Sequence, residues 1–289
     1  MSAKNPEYDF KWCPGCGDFG VRRALEAALA RRAIETELPA ENNVVVAGIG
    51  CSGNMIHLLE GDMPYGFHGI HGRSLPVAMG IKMGRPDLNV IVVAGDGDFL
   101  GIGLEHIGPQ AARNLNITAV IMDNQVYGLT KGQSSPTTEI GEITSSTPYG
   151  KPEEALEALK LYLSMGASYV ASTISTKVKD LGFMINDAMN HPGFAIVHVQ
   201  SPCPTYNNTF EALKGNVKKG IAPLAWDIPD DHDVTDQDAA YKIATSDGVP
   251  VGLLFRDESR MSFDQRAAEF AAKAKPKTAE SLLSSYAIL

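Results

Sequence analysis

The sequence predicts an α/β fold: a mostly parallel sheet with helices on both faces, followed by a C-terminal extension. Three observations carry this expectation. Apolar, β-branched runs recur at Val44–Ile49, Val90–Ala94, Ile117–Met122 and Phe194–Val199, interrupted only by Thr118 and His198, as in strands buried on both faces. Segments with apolar positions at helical spacing alternate with them. Several runs stop abruptly in small or polar residues, at Gly50-Cys51-Ser52-Gly53, Gly95-Asp96-Gly97 and Asp123-Asn124. Such endings suit loops at which a ligand approaches the backbone closely.

In chain order, residues 1–12 read as an irregular arm and Cys13-Pro14-Gly15-Cys16-Gly17 as a tight turn. Asp18 is placed to cap a helix whose small or apolar positions are Val21, Ala24, Leu25, Ala28 and Leu29. The strand Val44–Ile49 leads into a short helix, Met55–Leu59. Tyr65–Arg73 (YGFHGIHGR) reads as a Gly/His loop, and Ser74–Met83 as a helix that tolerates Pro76 in its first turn. Then come a strand at Asn89–Ala94, a helix at Ile102–Arg113 and a strand at Ile117–Met122. Residues 128–152 are rich in Ser, Thr and Gly and lack periodicity, which points to a functional lid or a disordered stretch. Glu153–Met165 and Lys177–Asn190 are helices, with strands at Ser168–Ala171 and Phe194–Val199. Trp226–Asp238 is acidic and reads as exposed; Pro250–Phe255 is a late strand and Ser262–Lys273 a helix. Residues 1–204 are expected to form the main domain, and 205–289 an extension packed on it or on a partner subunit.

Bulk properties narrow the function. With 289 residues, 44% of them hydrophobic, the chain can bury a large core. A net charge of −9 argues against a nucleic-acid binder, which needs a basic face. The absence of a long apolar run argues against a membrane span, and MSAKNPEYDFKW has no signal-like apolar region, so the expected location is the cytoplasm. In a reducing compartment, four cysteines that include a C-x-x-C favour metal or redox chemistry over disulfides.

Asp96 and Asn124, 28 positions apart, each close a buried strand. In a parallel sheet one strand–helix–strand unit sets such ends on the same edge, so a carboxylate and an amide oxygen could share a hard cation with a diphosphate. Gly95 and Gly97 allow phosphates near the backbone, and the next helix start adds N–H donors. Alone, Gly-Asp-Gly is a common turn and Asp-Asn a common strand terminator. Cys13, Cys16, Cys51 and Cys203 follow the pattern C-x2-C, 34 residues, C, 151 residues, C. Four thiolates can hold a [4Fe–4S] cluster or a structural zinc; a single buried Cys is more often a small core hydrophobe.

The Gly-Asp-Gly…Asn spacing resembles the diphosphate-binding motif of thiamine-diphosphate enzymes. That resemblance makes Asp96, Asn124 and the Val126 carbonyl Mg²⁺ ligands. Together WCPGCGDFG, GIGCSGN, HGRSLPVAMGIK, GDGDFLGIGLEH, MDNQVYGLTKGQSSPTT and SPCPTYN resemble the β subunit of 2-oxoacid:ferredoxin oxidoreductases over about residues 10 to 210. The resemblance implies a thiamine-diphosphate-binding fold and a [4Fe–4S] cluster on Cys13, Cys16, Cys51 and Cys203. It implies cofactor contacts from Ile49, Gly50, Cys51, Ser52, His68, Gly95, Gly97, Asp98, Gly128 and Leu129. Candidate catalytic residues are His68, His71, Arg73 and Lys131, with His68 favoured over His71 for a cofactor contact. Asn54 departs from relatives that carry Lys there. The implied activity is coenzyme A-dependent oxidative decarboxylation of a 2-oxoacid to an acyl-CoA and CO2, reversible as reductive carboxylation, with ferredoxin as electron acceptor. 2-Oxoglutarate is the first-choice substrate, ahead of pyruvate and a branched-chain 2-oxoacid. The Glu that activates the aminopyrimidine is expected from an α subunit, in a dimer of αβ units. A non-redox thiamine enzyme would leave the cysteines unexplained, and a zinc-stabilised binding module would leave the Gly-Asp-Gly…Asn motif unexplained.

Overall fold

The computed structural model describes residues 11–62, 64–275 and 277–287, so the expected arm at 1–10 lies outside the described residues. Ten strands are described: β1 (Asn43–Ala47), β2 (Tyr65–His68), β3 (Asn89–Gly95), β4 (Ile117–Asp123), β5 (Val126–Tyr127), β6 (Gln133–Ser134), β7 (Tyr169–Ile174), β8 (Phe194–Gln200), β9 (Ala225–Asp227) and β10 (Val249–Arg256). Eight of them form one sheet in the order β2-β1-β3-β4-β8-β7-β10-β9. β2, β1, β3, β4, β8 and β7 run parallel, and β10 pairs antiparallel with β7.

The apolar runs are explained by this position. Along β3, Val90 and Val92 enter one core while Ile91 and Val93 enter the other. Helices Asp18–Thr36 and Val178–Asn190 cover the second face through Val21, Leu25, Leu181 and Ile185. Helices Ser74–Gly84, Ile107–Arg113 and Ala158–Met165 cover the first through Leu75, Ile107 and Tyr162.

Several elements differ from the sequence reading. Tyr65–His68 is an edge strand, not loop, because its backbone pairs with β1 although all four residues are exposed. Asp18 does not cap its helix: Gly17 is the N-cap, and the Asp18 carboxylate turns inward. Of the helix expected at Ile102–Arg113, only Ile107–Arg113 is α-helical; Gly97–Ile102 is a π-helical turn and Leu104–His106 a 3₁₀ turn. The helix expected from Glu153 begins at Ala158. The stretch 128–152 is ordered: it contains the turn and second strand of the β5–β6 hairpin and buries Ser135, Thr137, Thr138 and Lys151, whose ammonium donates to the Thr138 carbonyl at 2.6 Å.

Residues 205–289 add β9 and β10 to the main sheet and a helix, Phe263–Lys273, that starts in a Ser262/Gln265 capping box. Asn114 fastens this part to the core. It ends its helix in the left-handed region at φ 54°. Its Oδ1 accepts from Ser168 Oγ at 2.6 Å and Phe194 N at 2.9 Å, and its Nδ2 donates to the Arg260 and Met261 carbonyls. Asn114→Ala strands these buried groups and is expected to cost about 2–4 kcal/mol, read as a lowered urea midpoint.

Candidate active site

β1, β3, β4 and β8 are adjacent and parallel, so their C-terminal ends share one edge. The loops that follow carry Cys51, Asp96, Asn124 and Cys203 respectively. The chain runs outward from β1 to β2 and then returns to β3 on the other side. Such a reversal opens the crevice in which open α/β sheets bind ligands. A cavity of about 100 Å³ lies there, lined by Ile49 to Ser52, His71, Gly95 to Asp98, Asn124 and Val126 to Thr130.

Asp96 is buried at the cavity wall and accepts from Thr137 Oγ1 at 2.8 Å and from the Asn124 backbone N–H. Thr137 Oγ1 lies equally close, at 2.8 Å, to Asp123 Oδ1. One hydroxyl proton cannot satisfy two carboxylates at once. Burial, then the charge of Asp123, push Asp96 up to about 7. Burial acts upward on Asp123 as well, but the hydrogen bond and charge of His198, at 3.1 Å, hold it below the usual carboxylate range. A bound cation would relieve the repulsion at Asp96. Sequence reasoning misses Thr137, Asp123 and His198, since only folding brings positions 137 and 198 to the strand ends.

Asp98 lies under the cavity. Its Oδ1 accepts from Ile49 N at 2.9 Å, Gly72 N at 2.7 Å and His71 Nδ1 at 2.5 Å, fixing two loops to one carboxylate. Gly48 makes this possible, because a Cβ there would stand 1.7 Å from Asp98 Oδ2. The space that Gly97 leaves is filled by the Tyr127 ring, 2.2 Å from where its Cβ would lie, so packing at the cavity wall also requires a glycine there. Gly128 marks a meeting point: a Cβ on it would lie 3.5 Å from Cys51 Sγ, 3.8 Å from Cys203 Sγ and 3.9 Å from Asn124 Nδ2.

The thiols neighbour one another. Cys16 N donates to the Cys13 carbonyl, Gly17 N to Pro202 O, and Trp12 Nε1 to Cys51 O at 2.7 Å. Burial first, then the charges of Asp18 and of the other thiols, raise Cys16 and push Cys51 up to about 12. These thiols therefore ionise only against a compensating cation. Among the described residues, no three or more His, Cys, Asp or Glu side chains converge as a single ion would require. Asp18 ties the thiol loops together, accepting from Ser201 Oγ at 2.6 Å and from Ser52 Oγ at 3.5 Å.

The family model for thiamine pyrophosphate enzyme, C-terminal TPP binding domain, matches residues 48–199. The model for the C terminal part of the pyruvate ferredoxin oxidoreductase beta subunit matches residues 203–272. The 2-oxoacid:ferredoxin oxidoreductase subunit beta of a Sulfolobus species is 38% identical over 273 residues, spanning 92% of this chain and 88% of that one. The chain belongs to the 2-oxoacid:ferredoxin oxidoreductase β subunits. The 2-oxoglutarate synthase subunit KorB of Archaeoglobus fulgidus is 40% identical over 195 residues, 68% of this chain and 70% of that one. A solved 2-oxoglutarate:ferredoxin oxidoreductase from Magnetococcus marinus, with 2-oxoglutarate, coenzyme A and succinyl-CoA bound, matches with a TM-score of 0.86. Its identity is 35%, over 99% of this chain and 94% of that chain.

Within this β subunit the candidate side chains separate. His71 lines the cavity with its Nδ1 held by Asp98, whereas the preferred His68 lies on exposed β2, 3.0 Å from His57 Nε2. Arg73 is not in the lining; it donates to the Gly72 and Ile102 carbonyls and pairs with Glu105 at 3.0 Å. Lys131 is exposed in the β5–β6 hairpin turn at φ 80°, also outside the lining. Asn54 Nδ2 reaches the Lys11 carbonyl at 3.4 Å. Among the described residues no helix is long and apolar enough to cross a membrane. A larger cleft of about 720 Å³, reaching from Asp123 and His198 to Pro250, carries none of the cysteines.

Burial raises the Asp18 carboxyl from its ordinary 3.8 to about 6. The folded chain therefore holds this proton where the unfolded chain has released it. The resulting stability is complete below pH 3.8 and is lost as pH rises through about 6. Asp18→Asn removes that loss. In urea unfolding of the cluster-free chain, the variant should gain on the wild type between about pH 4 and 7, by up to about 3 kcal/mol at 1.36 kcal/mol per pH unit.

Proposed function

We propose that this β subunit holds thiamine diphosphate in the crevice between the β1 and β3 ends, with Mg²⁺ on Asp96, Asn124 and the Val126 carbonyl. Cys13, Cys16, Cys51 and Cys203 hold a [4Fe–4S] cluster beside it. With an α subunit, the enzyme converts a 2-oxoacid and coenzyme A to an acyl-CoA, CO2 and a proton, the electron pair passing through the cluster to a ferredoxin. The observation that carries this reading is the approach of two thiols and the Asn124 amide to Gly128, in the rim that also bears Asp96.

The donors fit these groups. Asp96 and Asn124 offer hard oxygens and lie in hydrogen-bond contact. Thiols with raised pKa values on neighbouring loops suit iron, whose charge makes them ligands. Bound thiamine diphosphate supplies carbanion chemistry, and the cluster supplies one-electron transfer. The chain's own residues orient and insulate. Asp98 fixes the Ile49 and Gly72 backbones and holds His71 Nδ1 at 2.5 Å, which orients that ring in the cavity lining. We therefore assign the cofactor contact to His71 rather than His68.

Residues 48–199 match one thiamine-binding domain and residues 203–272 match the C-terminal part of a β chain, which supports assigning the pyrimidine-activating Glu to an α subunit. Ile49, Ile102 and Leu129 are partly exposed around the crevice and offer that subunit an apolar rim. 2-Oxoglutarate is the proposed substrate, supported by the KorB relatives and by the Magnetococcus marinus structure.

Anaerobic purification of the αβ complex should give a brown protein absorbing near ~400 nm with about four irons per β subunit; a colourless protein with one zinc would refute the cluster. Asp96→Ala should weaken thiamine diphosphate and Mg²⁺ binding at least about tenfold while iron content stays near the wild-type level. Iron loss with normal thiamine diphosphate binding would contradict the site map. In an anaerobic panel of 2-oxoacids with coenzyme A, 2-oxoglutarate should show the highest kcat/KM, and a higher value for pyruvate would overturn the substrate assignment.

A further inference from the structure

The loop after β8 does more than carry a cysteine. Ser201 N donates to the Asp123 carbonyl at 2.7 Å, which docks the loop on the end of β4. The chain passes Cys203 and turns back at Asn207. Cys203 N donates to Asn207 O at 3.1 Å, and Asn207 N to Cys203 O at 3.0 Å. Position 207 is thus fixed to the backbone of a thiol residue.

The Asn207 side chain reaches the segment that follows β4. Its Nδ2 donates to the Asn124 carbonyl at 3.0 Å and to Gln125 Oε1 at 3.2 Å. Both amide hydrogens are then used on the segment that presents the Asn124 amide and the Val126 carbonyl. That segment is strained: Gln125 sits at φ 59°, a region costing a non-glycine residue about 1 kcal/mol or more. Its neighbours hold it there. Asp123 Oδ1 accepts from Gln125 N at 2.9 Å, and Thr138 Oγ1 donates to Gln125 O at 2.6 Å. Asn207 is the contact that reaches this segment from a thiol loop. Beside it, the Tyr206 ring packs on the hairpin that Val126 opens, 2.8 Å from where a Cβ on Gly132 would lie.

We propose that Asn207 is a positioning residue that couples the two cofactor sites: ordering the Cys203 turn on a filled thiol cage presses the Asn124–Val126 segment into its cation-binding shape. The inference rests on the thiol-cage and diphosphate assignments of the preceding subsection. A ligand that orders a shared element reduces the ordering cost for the second, and the coupling is reciprocal. Filling the thiamine diphosphate site therefore also protects the cluster.

The test uses the anaerobically purified αβ complex. Thiamine diphosphate affinity is measured by equilibrium dialysis at saturating Mg²⁺, before and after iron is stripped with a chelator. In the wild type, stripping should weaken binding about tenfold, within the range usual for coupled sites. In Asn207→Ala, the iron-loaded complex should bind about as weakly as the stripped wild type, and stripping should change affinity less than about twofold. Thiamine diphosphate should slow chelator-driven bleaching of the wild type but not of the variant. A residue that merely stabilises the fold would weaken loaded and stripped forms equally, leaving the wild-type ratio; that result overturns the proposal. If Asn207→Ala does not assemble, Asn207→Asp keeps the shape without the amide donors and is read the same way. A wild-type complex that holds iron but binds the cofactor equally well without it sinks the coupling alone. One that holds no iron sinks the cluster assignment and the coupling together.

Discussion

The parallel pairing of β1, β3, β4 and β8 is the constraint on which the rest depends. Parallel strands at adjacent positions bring their C-terminal ends to one edge, about 4.8 Å apart from neighbour to neighbour. Four loops with different chemistry then meet without any long-range design in the loops themselves. The loops after β1 and β8 supply thiols; those after β3 and β4 supply a carboxylate and an amide. Shifting one strand by a single residue would turn its inward residues to the other face and move its loop along the rim. The two apolar cores hold the register, with alternate residues of each strand committed to opposite faces.

Onto this frame the chain places buried acids. Asp18, Asp96, Asp98 and Asp123 are each about 98% or more shielded from solvent. They do different work because their partners differ. Asp98 accepts two backbone N–H groups and an imidazole, so its charge is used in holding loops. Asp123 is matched by His198. Asp96 shares Thr137 with Asp123 and is left under-compensated, which is the electrostatic condition for a cation site. Asp18 bridges two serines on separate thiol loops. Buried polar networks of this kind give geometry at a cost in stability, and bound cations would offset that cost.

Much of the site is legible in the chain because it is written at strand ends. A β-branched run followed by Gly-Asp-Gly or Asp-Asn signals both the buried strand and the polar residue that closes it. Asp96, Asn124, Val126, Cys51 and Gly128 stand out in this way, and all of them line one cavity or touch it. The misreadings share a cause. β2 reads as a loop because its alternation is masked by Gly and His, and backbone pairing with β1 makes it a strand. Asp18 stands where a cap would stand, yet its carboxylate is taken by Ser201, a residue 183 positions away. His68 and His71 look equivalent in the loop sequence, and the fold separates them, holding His71 Nδ1 on Asp98 in the cavity lining and leaving His68 on the exposed edge strand.

The sequence by itself determined the fold class, the order of the main strands and which residue types terminate them, since these follow from local periodicity and turn chemistry. Tertiary structure decided which polar groups work together. Thr137 between two carboxylates, Asp98 under two loops, and Asn207 between the Cys203 turn and the Asn124 segment are contacts across 14 to 83 positions of chain. No periodicity encodes such contacts. They arise because the sheet sets distant strand ends on one edge, and a buried polar group must find its partner among whatever folding brings within reach.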